Sequence, residues 1–294
     1  MSVSALLFAG MNLTAHVAGA HVPWSHIATT RAAVGVVVAV AVARARRVPF
    51  ITRATPAMWL RSIFGTISMV CTFFALASPH LPLGDAVTLV SLSPLFVAVL
   101  APLVLRERSG RRILLALPIS VAGVLLVLRP PVLFGGAAAD PQALFPGAVA
   151  LTSSLSAAFA MMMLRRIGDR ETPESVVFHF SATAAAFLFV VSLPTLSAPS
   201  ARDAAAMAAA GLCGGLGQIA MTRAYALEKA ARVGPFTYIS VVASTVLGAI
   251  GLHEWPSGAA ILGMALVITG GTVVMIAGVR DLKKADAATL LARR

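Results

Sequence analysis

Long apolar runs alternate with short polar segments along the whole chain. A helix needs about 20 mainly apolar residues to cross a bilayer core. Ten segments fit that pattern: residues 3–20, 24–43, 57–78, 84–105, 112–128, 145–164, 174–194, 204–226, 232–253 and 257–279. The runs are continuous, which excludes the roughly ten-residue alternating strands of a membrane β-barrel. The fifth segment is the shortest and contains Leu117-Pro118. A membrane helix tolerates such a proline where neighbouring groups satisfy the freed carbonyl. The pattern predicts an all-α integral membrane protein of ten transmembrane helices.

The charges sort by loop. With a cytoplasmic N-terminus, one face holds Arg44, Arg46, Arg47, Arg53, Arg106, Arg108, Arg111 and Arg112. The same face holds Arg165, Arg166, Arg170, Arg223, Lys229 and Arg232, and the tail adds Arg280, Lys283, Lys284, Arg293 and Arg294. Nineteen of the 23 lysines and arginines thus fall on one side, and the opposite loops keep only Arg129 and Arg202. This asymmetry is the positive-inside pattern. It predicts ten spans with both termini cytoplasmic, in a cell inner (plasma) membrane. The first apolar run begins by Val3 with no basic segment before it. That argues for a first helix over a cleavable signal, and the abrupt start suggests a longer natural N-terminus.

A weak internal repeat appears at a shift of 147 residues, which lays Glu107 on Glu254, Gly123 on Gly270, Ser93 on Ser240 and Val99-Leu100 on Val246-Leu247. Each half then holds five helices. Five is odd, so the second half lies inverted relative to the first, an architecture of transporters with a binding site near mid-membrane. The expected organisation is a first five-helix repeat at 1–130, an extracytoplasmic linker at 131–143, a second repeat at 144–279 and a cytoplasmic tail at 280–294. The stretch from Arg129 to Ala143 around this linker carries Pro130-Pro131, Gly135-Gly136 and Pro141, which suit an exposed loop.

Composition sharpens this picture. The chain is 59% hydrophobic and 12% charged, with a mean hydropathy of +0.90. A soluble domain carries about 25% charged residues, so this chain lacks the polar surface to be one. The net charge of +12 belongs to headgroup-facing loops. No aromatic-studded basic surface is present, so nucleic acid is not an expected partner. The expected partners are the lipid bilayer and a small-molecule substrate, with the protein a monomer or homodimer. Cys71 and Cys213 are isolated in apolar segments and read as packing residues. No cofactor or metal site is expected. No HExxH, GxSxG or paired carboxylate is present, and Gly214-Gly215-x-Gly217 lacks the strand–turn–helix setting of a nucleotide loop, so no catalytic residue is assigned.

Arg61 to Arg112 contains Pro82-Leu83-Gly84-Asp85-Ala86 at a turn, Ser93-Pro94-Leu95-Phe96 within a helix, and Glu107 closing it. Ala224 to Gly271 contains Gly234-Pro235-Phe236-Thr237-Tyr238 and Glu254-Trp255-Pro256. In order and spacing these stretches resemble the third and fourth, and the eighth to tenth, helices of the EamA-type drug/metabolite transporters. Met11 and Arg31 fit the likeness too, which covers nearly the whole chain. At position 16, where many relatives carry lysine, this chain has His16. The resemblance implies an inner-membrane carrier of a small polar or amphipathic organic metabolite, such as an amino acid or a nucleoside-type cofactor, working by alternating access. A membrane-embedded enzyme or a non-transporting scaffold is the alternative.

Ionisable groups inside a membrane face a cavity or a partner by default. Arg31, about a turn and a half into the second helix, either attracts a substrate carboxylate or phosphate, or caps carbonyls and snorkels outward. Arg61, near the cytoplasmic start of the third helix, suits snorkelling to headgroups. Glu107 and Glu254 fall at opposite faces, where each either closes a gate with a nearby arginine or is solvated at a helix end. His16 and His179 either relay a proton near neutral pH or pack. The neutral candidates for a substrate site are Asn12, Ser91, Ser93, Gln218, Thr237 and Tyr238, sparse polar groups on an apolar wall. No Asp or Glu falls plainly at mid-membrane, which favours facilitated diffusion or exchange over proton coupling.

Overall fold

The computed structural model describes residues 1–104, 118–119, 122–123, 126, 141–168, 170–195, 197–227, 234–270, 272–273 and 276. Among them no strand occurs, and the chain is built from helices α1 (Ser2–Gly19), α2 (Trp24–Arg46), α3 (Pro56–Leu76), α4 (Leu83–Val90), α5 (Ser93–Val104), α6 (Leu144–Ile167), α7 (Pro173–Ser192), α8 (Ala201–Leu227), α9 (Tyr238–Gly251) and α10 (Gly258–Gly270). Six of these elements are long and apolar enough to cross a membrane. Most of the predicted fifth segment, Glu107, most of the linker and the tail lie outside the described residues.

Local signals set the helix ends. Thr55 caps α3, accepting from the Met58 amide at 3.4 Å ahead of Pro56, and Thr172 caps α7, accepting from the Ser175 amide at 3.1 Å ahead of Pro173. Threonine supplies the orphan-donor acceptor and proline the preset first turn. Helix α2 stops at Arg47 in the left-handed conformation (φ 56°), where its amide bonds back to the helix.

The fourth predicted span is not one helix. It breaks at Ser91-Leu92 between α4 and α5. The cause is Ser93-Pro94: a proline offers no N–H to the carbonyl four residues back, here Val90. The predicted ninth span likewise opens with a 3-10 turn at Gly234–Thr237 before α9. Under the 147-residue shift that turn falls on residues 87–90, adjacent to the first break.

The long helices pack as neighbours in a regular scheme. Helix α3 lies along α6, α1 along α8, and α2 between α7 and α8; α3 also meets α7. Helix α9 packs on α1 and α4, and α6 receives α4 and α5. Small residues allow the close approaches. A Cβ at Gly211 would sit 2.6 Å from Val34, and one at Gly215 would sit 3.1 Å from Val38, so α8 meets α2 through two glycines one turn apart. In lipid, where apolar burial does not drive helices together, such backbone proximity does. The outer faces carry large apolar groups, among them Val37, Phe187, Val190 and Ile250, each more than half exposed. In water these would be a liability; around a membrane bundle they meet acyl chains.

The bundle has two distinguishable ends. The α2–α3 and α6–α7 connections share one end with Arg44, Arg46, Arg165 and Arg223, joined by Thr172 donating to the Pro49 carbonyl at 2.8 Å and by the Thr52 and Ser175 hydroxyls at 2.5 Å. This is the basic end. The α1–α2, α3–α4 and α9–α10 connections share the far end.

Candidate functional site

A cavity of about 190 Å³ lies inside the bundle, with walls from α1, α2, α3, α6, α7 and α8 and from both helix breaks. It is small for a metabolite site, which typically encloses about 300 Å³ or more. A larger hollow of about 440 Å³ at the far end is walled by Trp24, Phe74 and Phe145, with no arginine or carboxylate among the described residues that line it. The chemistry is concentrated in the smaller, inner cavity.

Two arginines enter it. Arg31 is 4% exposed and Arg61 is 5% exposed. Their guanidinium carbons stand 5.5 and 4.5 Å from the centroid of the same ring, Phe180. Arg31 Nη2 donates to Gln218 Oε1 at a long 3.4 Å. Nη1 of each arginine has no hydrogen-bond partner among the described residues, and neither do Gln218 Nε2 and Thr237 Oγ1. Glycines make the room: a Cβ at Gly65 would lie on the Arg61 guanidinium, and one at Gly214 would lie 2.9 Å from Arg31 Nε.

The expected site residues divide. Asn12, Arg31, Ser91, Ser93, Gln218 and Thr237 all line the cavity. Asn12 also reaches Ser244 at 3.4 Å. Arg61, expected at a headgroup, lines the cavity as well. Tyr238 is buried beside the turn but is not part of the wall. His179 lies apart, its Nδ1 2.7 Å from the Ser62 hydroxyl and its ring edge-on to Trp59. His16 is at the far end rather than in the cavity. Glu107 lies outside the described residues.

The far end is fastened by Glu254. Its Oε1 is 2.8 Å from His16 Nε2, and its Oε2 accepts from the Leu83 amide at 2.8 Å. His16 Nδ1 meets the Leu76 carbonyl at 2.5 Å. Both ring nitrogens thus face acceptors, which only the doubly protonated imidazolium satisfies. Burial works to raise the Glu254 carboxyl, but the hydrogen bonds from His16 and the Leu83 amide outweigh it and hold the group below the usual carboxylate range. His21 stands 3.6 Å from Asp203 at the same end.

The basic end is fastened by Glu174, which the residue reading did not single out. The side chain is fully buried, and its Oε1 accepts from Arg46 Nη1 at 2.8 Å and from Arg223 Nη2 at 2.6 Å. The sequence signal was present: Thr172-Pro173-Glu174 places a carboxylate in the first turn of a capped helix, at the end where arginines gather. Phe180 and Ser153 were also missed. Ser153 Oγ donates to the Ser68 carbonyl at 2.9 Å and lies 2.7 Å from Thr72 Oγ1 on the cavity wall.

Comparison with known proteins places this arrangement. Residues 1–129 and 145–276 each match the model of the EamA-like transporter family. The chain is 29% identical to the pseudopaline exporter of Pseudomonas aeruginosa over 94% of this chain and 92% of that protein. It is 25% identical to a riboflavin transporter of Vibrio cholerae over 91% of this chain and 89% of that one. A solved crystal structure superposes with a TM-score of 0.63 at 20% identity, over 94% of this chain and 98% of that chain, a likeness of fold. These relatives and the apolar helices make the chain a multi-pass membrane transporter rather than an enzyme. The chain belongs to the EamA-like transporter family.

Proposed function

We propose that the chain is an inner-membrane carrier that moves a small polar or amphipathic organic metabolite by alternating access around the inner cavity, with the basic end and both termini cytoplasmic. The observation that carries this reading is the pair of fastenings at opposite ends of one polar cavity. Each joins the first half of the chain to the second: Arg46 to Glu174, which also holds Arg223, at one end, and His16 and Leu83 to Glu254 at the other. With both closed, the cavity is too small for most metabolites. Releasing one end while holding the other opens it to one side only.

The helix pairings support an inverted repeat of two five-helix halves. Exchanging the halves turns α3–α6 into α8–α1, α2–α8 into α7–α3, and α1–α9 into the contacts of α6 with α4 and α5; α2–α7 and α4–α9 map onto themselves. The two helix breaks exchange as well, and carriers place such discontinuous helices at their binding sites. The related proteins are named for two different cargoes, pseudopaline and riboflavin, so membership does not select the substrate here.

The test needs no substrate. In a background with Cys71 and Cys213 replaced, Ser91→Cys reports cavity access to a membrane-impermeant maleimide from each side of oriented vesicles. Thr52→Cys with Ser175→Cys locks the basic end; His21→Cys with Asp203→Cys locks the far end. Each lock should abolish labelling from its own side and leave the other side open. Labelling from both sides with either lock formed would contradict alternating access.

A further inference from the structure

The two buried arginines share a local device. Each is followed four residues later by glycine, as Arg31-x-x-x-Gly35 and Arg61-x-x-x-Gly65. Side chains on a helix normally lean toward its N-terminus, which would carry both groups to the membrane surfaces. Here a Cβ at Gly65 would lie on Arg61 Nη1, whereas one at Gly35 would first meet Ser181 Oγ at 2.9 Å, with Arg31 Nη1 at the same level 4.0 Å away. Both side chains thus run toward the C-terminal ends of their helices, Arg61 through the room left by the absent Cβ of Gly65 and Arg31 beside the seam where Gly35 admits Ser181. Helix α2 descends from the far end and α3 rises from the basic end, so the two guanidiniums turn inward from opposite sides and meet over Phe180.

That convergence leaves a charge problem. Both guanidiniums lie against the Phe180 ring, so two like charges share a buried space and repel each other. Among the described residues no carboxylate lines the cavity. The described carboxylates that form ion pairs do so at the two ends, Glu174 with Arg46 and Arg223, Glu254 with His16, and Asp203 with His21. Arginine does not escape by losing its proton, and an uncompensated buried charge is costly. The Phe180 ring supplies only a weak partner for two cations. Unsatisfied donors, Nη1 of each arginine and Nε2 of Gln218, point to the same remedy.

We propose that the cavity is built for an organic anion carrying two negative charges, one taken by Arg31 and one by Arg61, with Gln218 donating to a neutral or anionic oxygen between them. This rests on the carrier reading and adds the substrate class. Guanidinium binds carboxylate and phosphate alike through paired N–H donors, so the two charges come either from two carboxylates or from one phosphoryl group. Monocarboxylates and zwitterionic amino acids leave one arginine uncompensated and are weak ligands.

The test is thermal unfolding of the purified protein against succinate, glutarate, adipate and glycerol 3-phosphate, with butyrate and alanine as controls. Wild type should be stabilised in a dose-dependent way by at least one dianion, and by butyrate and alanine only at about tenfold higher concentration or more. A dicarboxylate response assigns the charges to two groups; a glycerol 3-phosphate response assigns them to one. Arg31→Gln and Arg61→Gln should each weaken the dianion response by about tenfold or more. Without ligand both variants should melt no lower than wild type, because each removes one of two repelling cations. No stabilisation by any dianion, equal stabilisation by butyrate, or a response unchanged in both variants overturns the proposal. Lower ligand-free melting of both variants with no dianion response assigns the arginines a structural role and overturns it too. The end-locking result is independent of these, so intact locks with a failed dianion response remove the substrate class and leave the carrier standing.

Discussion

At the basic end a carboxylate sealed from solvent receives two guanidiniums; at the far end a carboxylate that is 27% exposed receives one imidazole and one backbone amide. Both fastenings bridge the same two halves of the chain. They differ in what can undo them. Guanidinium keeps its charge over any physiological pH, so only mechanical separation or a competing ligand releases Glu174. Imidazole titrates near neutrality, and His16 holds its two acceptors only while doubly protonated. The far end is therefore the one whose closure responds to its surroundings, and the basic end is the stiffer anchor.

The largest effect should come from the stiffer end. Glu174→Gln leaves two guanidiniums facing each other without a counter-charge and should cost about 3 kcal/mol in unfolding free energy, the lower edge for breaking a buried pair because both arginines are partly exposed. Denaturant titration in detergent measures it. Glu254→Gln should cost less, about 1–2 kcal/mol. Equal costs would erase the contrast between the ends.

A pH titration sharpens it. The folded Glu254 carboxyl is held below its ordinary range, so its contribution is complete above the unfolded value of about 4.3 and fades as pH falls through the lower folded value. The stability gap between wild type and Glu254→Gln should close as pH falls below about 4, and should also shrink at alkaline pH, where His16 loses the second proton that its two acceptors require. A gap that keeps growing below about pH 4 would reverse the assignment. The smallest effect is expected between the ends. Gly214→Ala presses on Met11 Sδ at 2.8 Å and on Arg31 at Nε (2.9 Å) and Cγ (3.3 Å), within two long side chains, and should cost about 1 kcal/mol. Maleimide access to Ser91→Cys from each side should stay unchanged, because neither fastening is touched.

Much of the scaffold was legible in the sequence because hydropathy and capping agree. The segments expected at 57–78 and 174–194 fall on Pro56–Leu76 and Pro173–Ser192, where Thr-Pro marks the start and the apolar run sets the length. The interruptions were not legible. Ser93-Pro94 falls inside the apolar run expected as one helix at 84–105, and only the neighbouring backbone shows the turn at Ser91-Leu92. Among the candidates, Asn12, Ser91, Ser93, Gln218 and Thr237 line the cavity, because polar groups inside apolar helices have few other places to face. Arg61 shows where such reasoning stops. Its position near a helix start favours the membrane surface, and its inward course depends on the absent Cβ of Gly65 and on Phe180 from a distant helix. Glu174 was overlooked for a related reason: its partners Arg46 and Arg223 come from segments far apart in the chain, and each reads as an ordinary loop charge.

The most direct test of the account is the spacing of the two ends under selective release. Spin labels at positions 52 and 175 report the basic end, and labels at 21 and 203 report the far end, with distances read by pulsed electron paramagnetic resonance. Glu174→Gln should lengthen the first distance and leave the second short; Glu254→Gln should do the reverse. Distances that lengthen together in either variant, or in neither, would contradict a carrier whose two ends open in alternation.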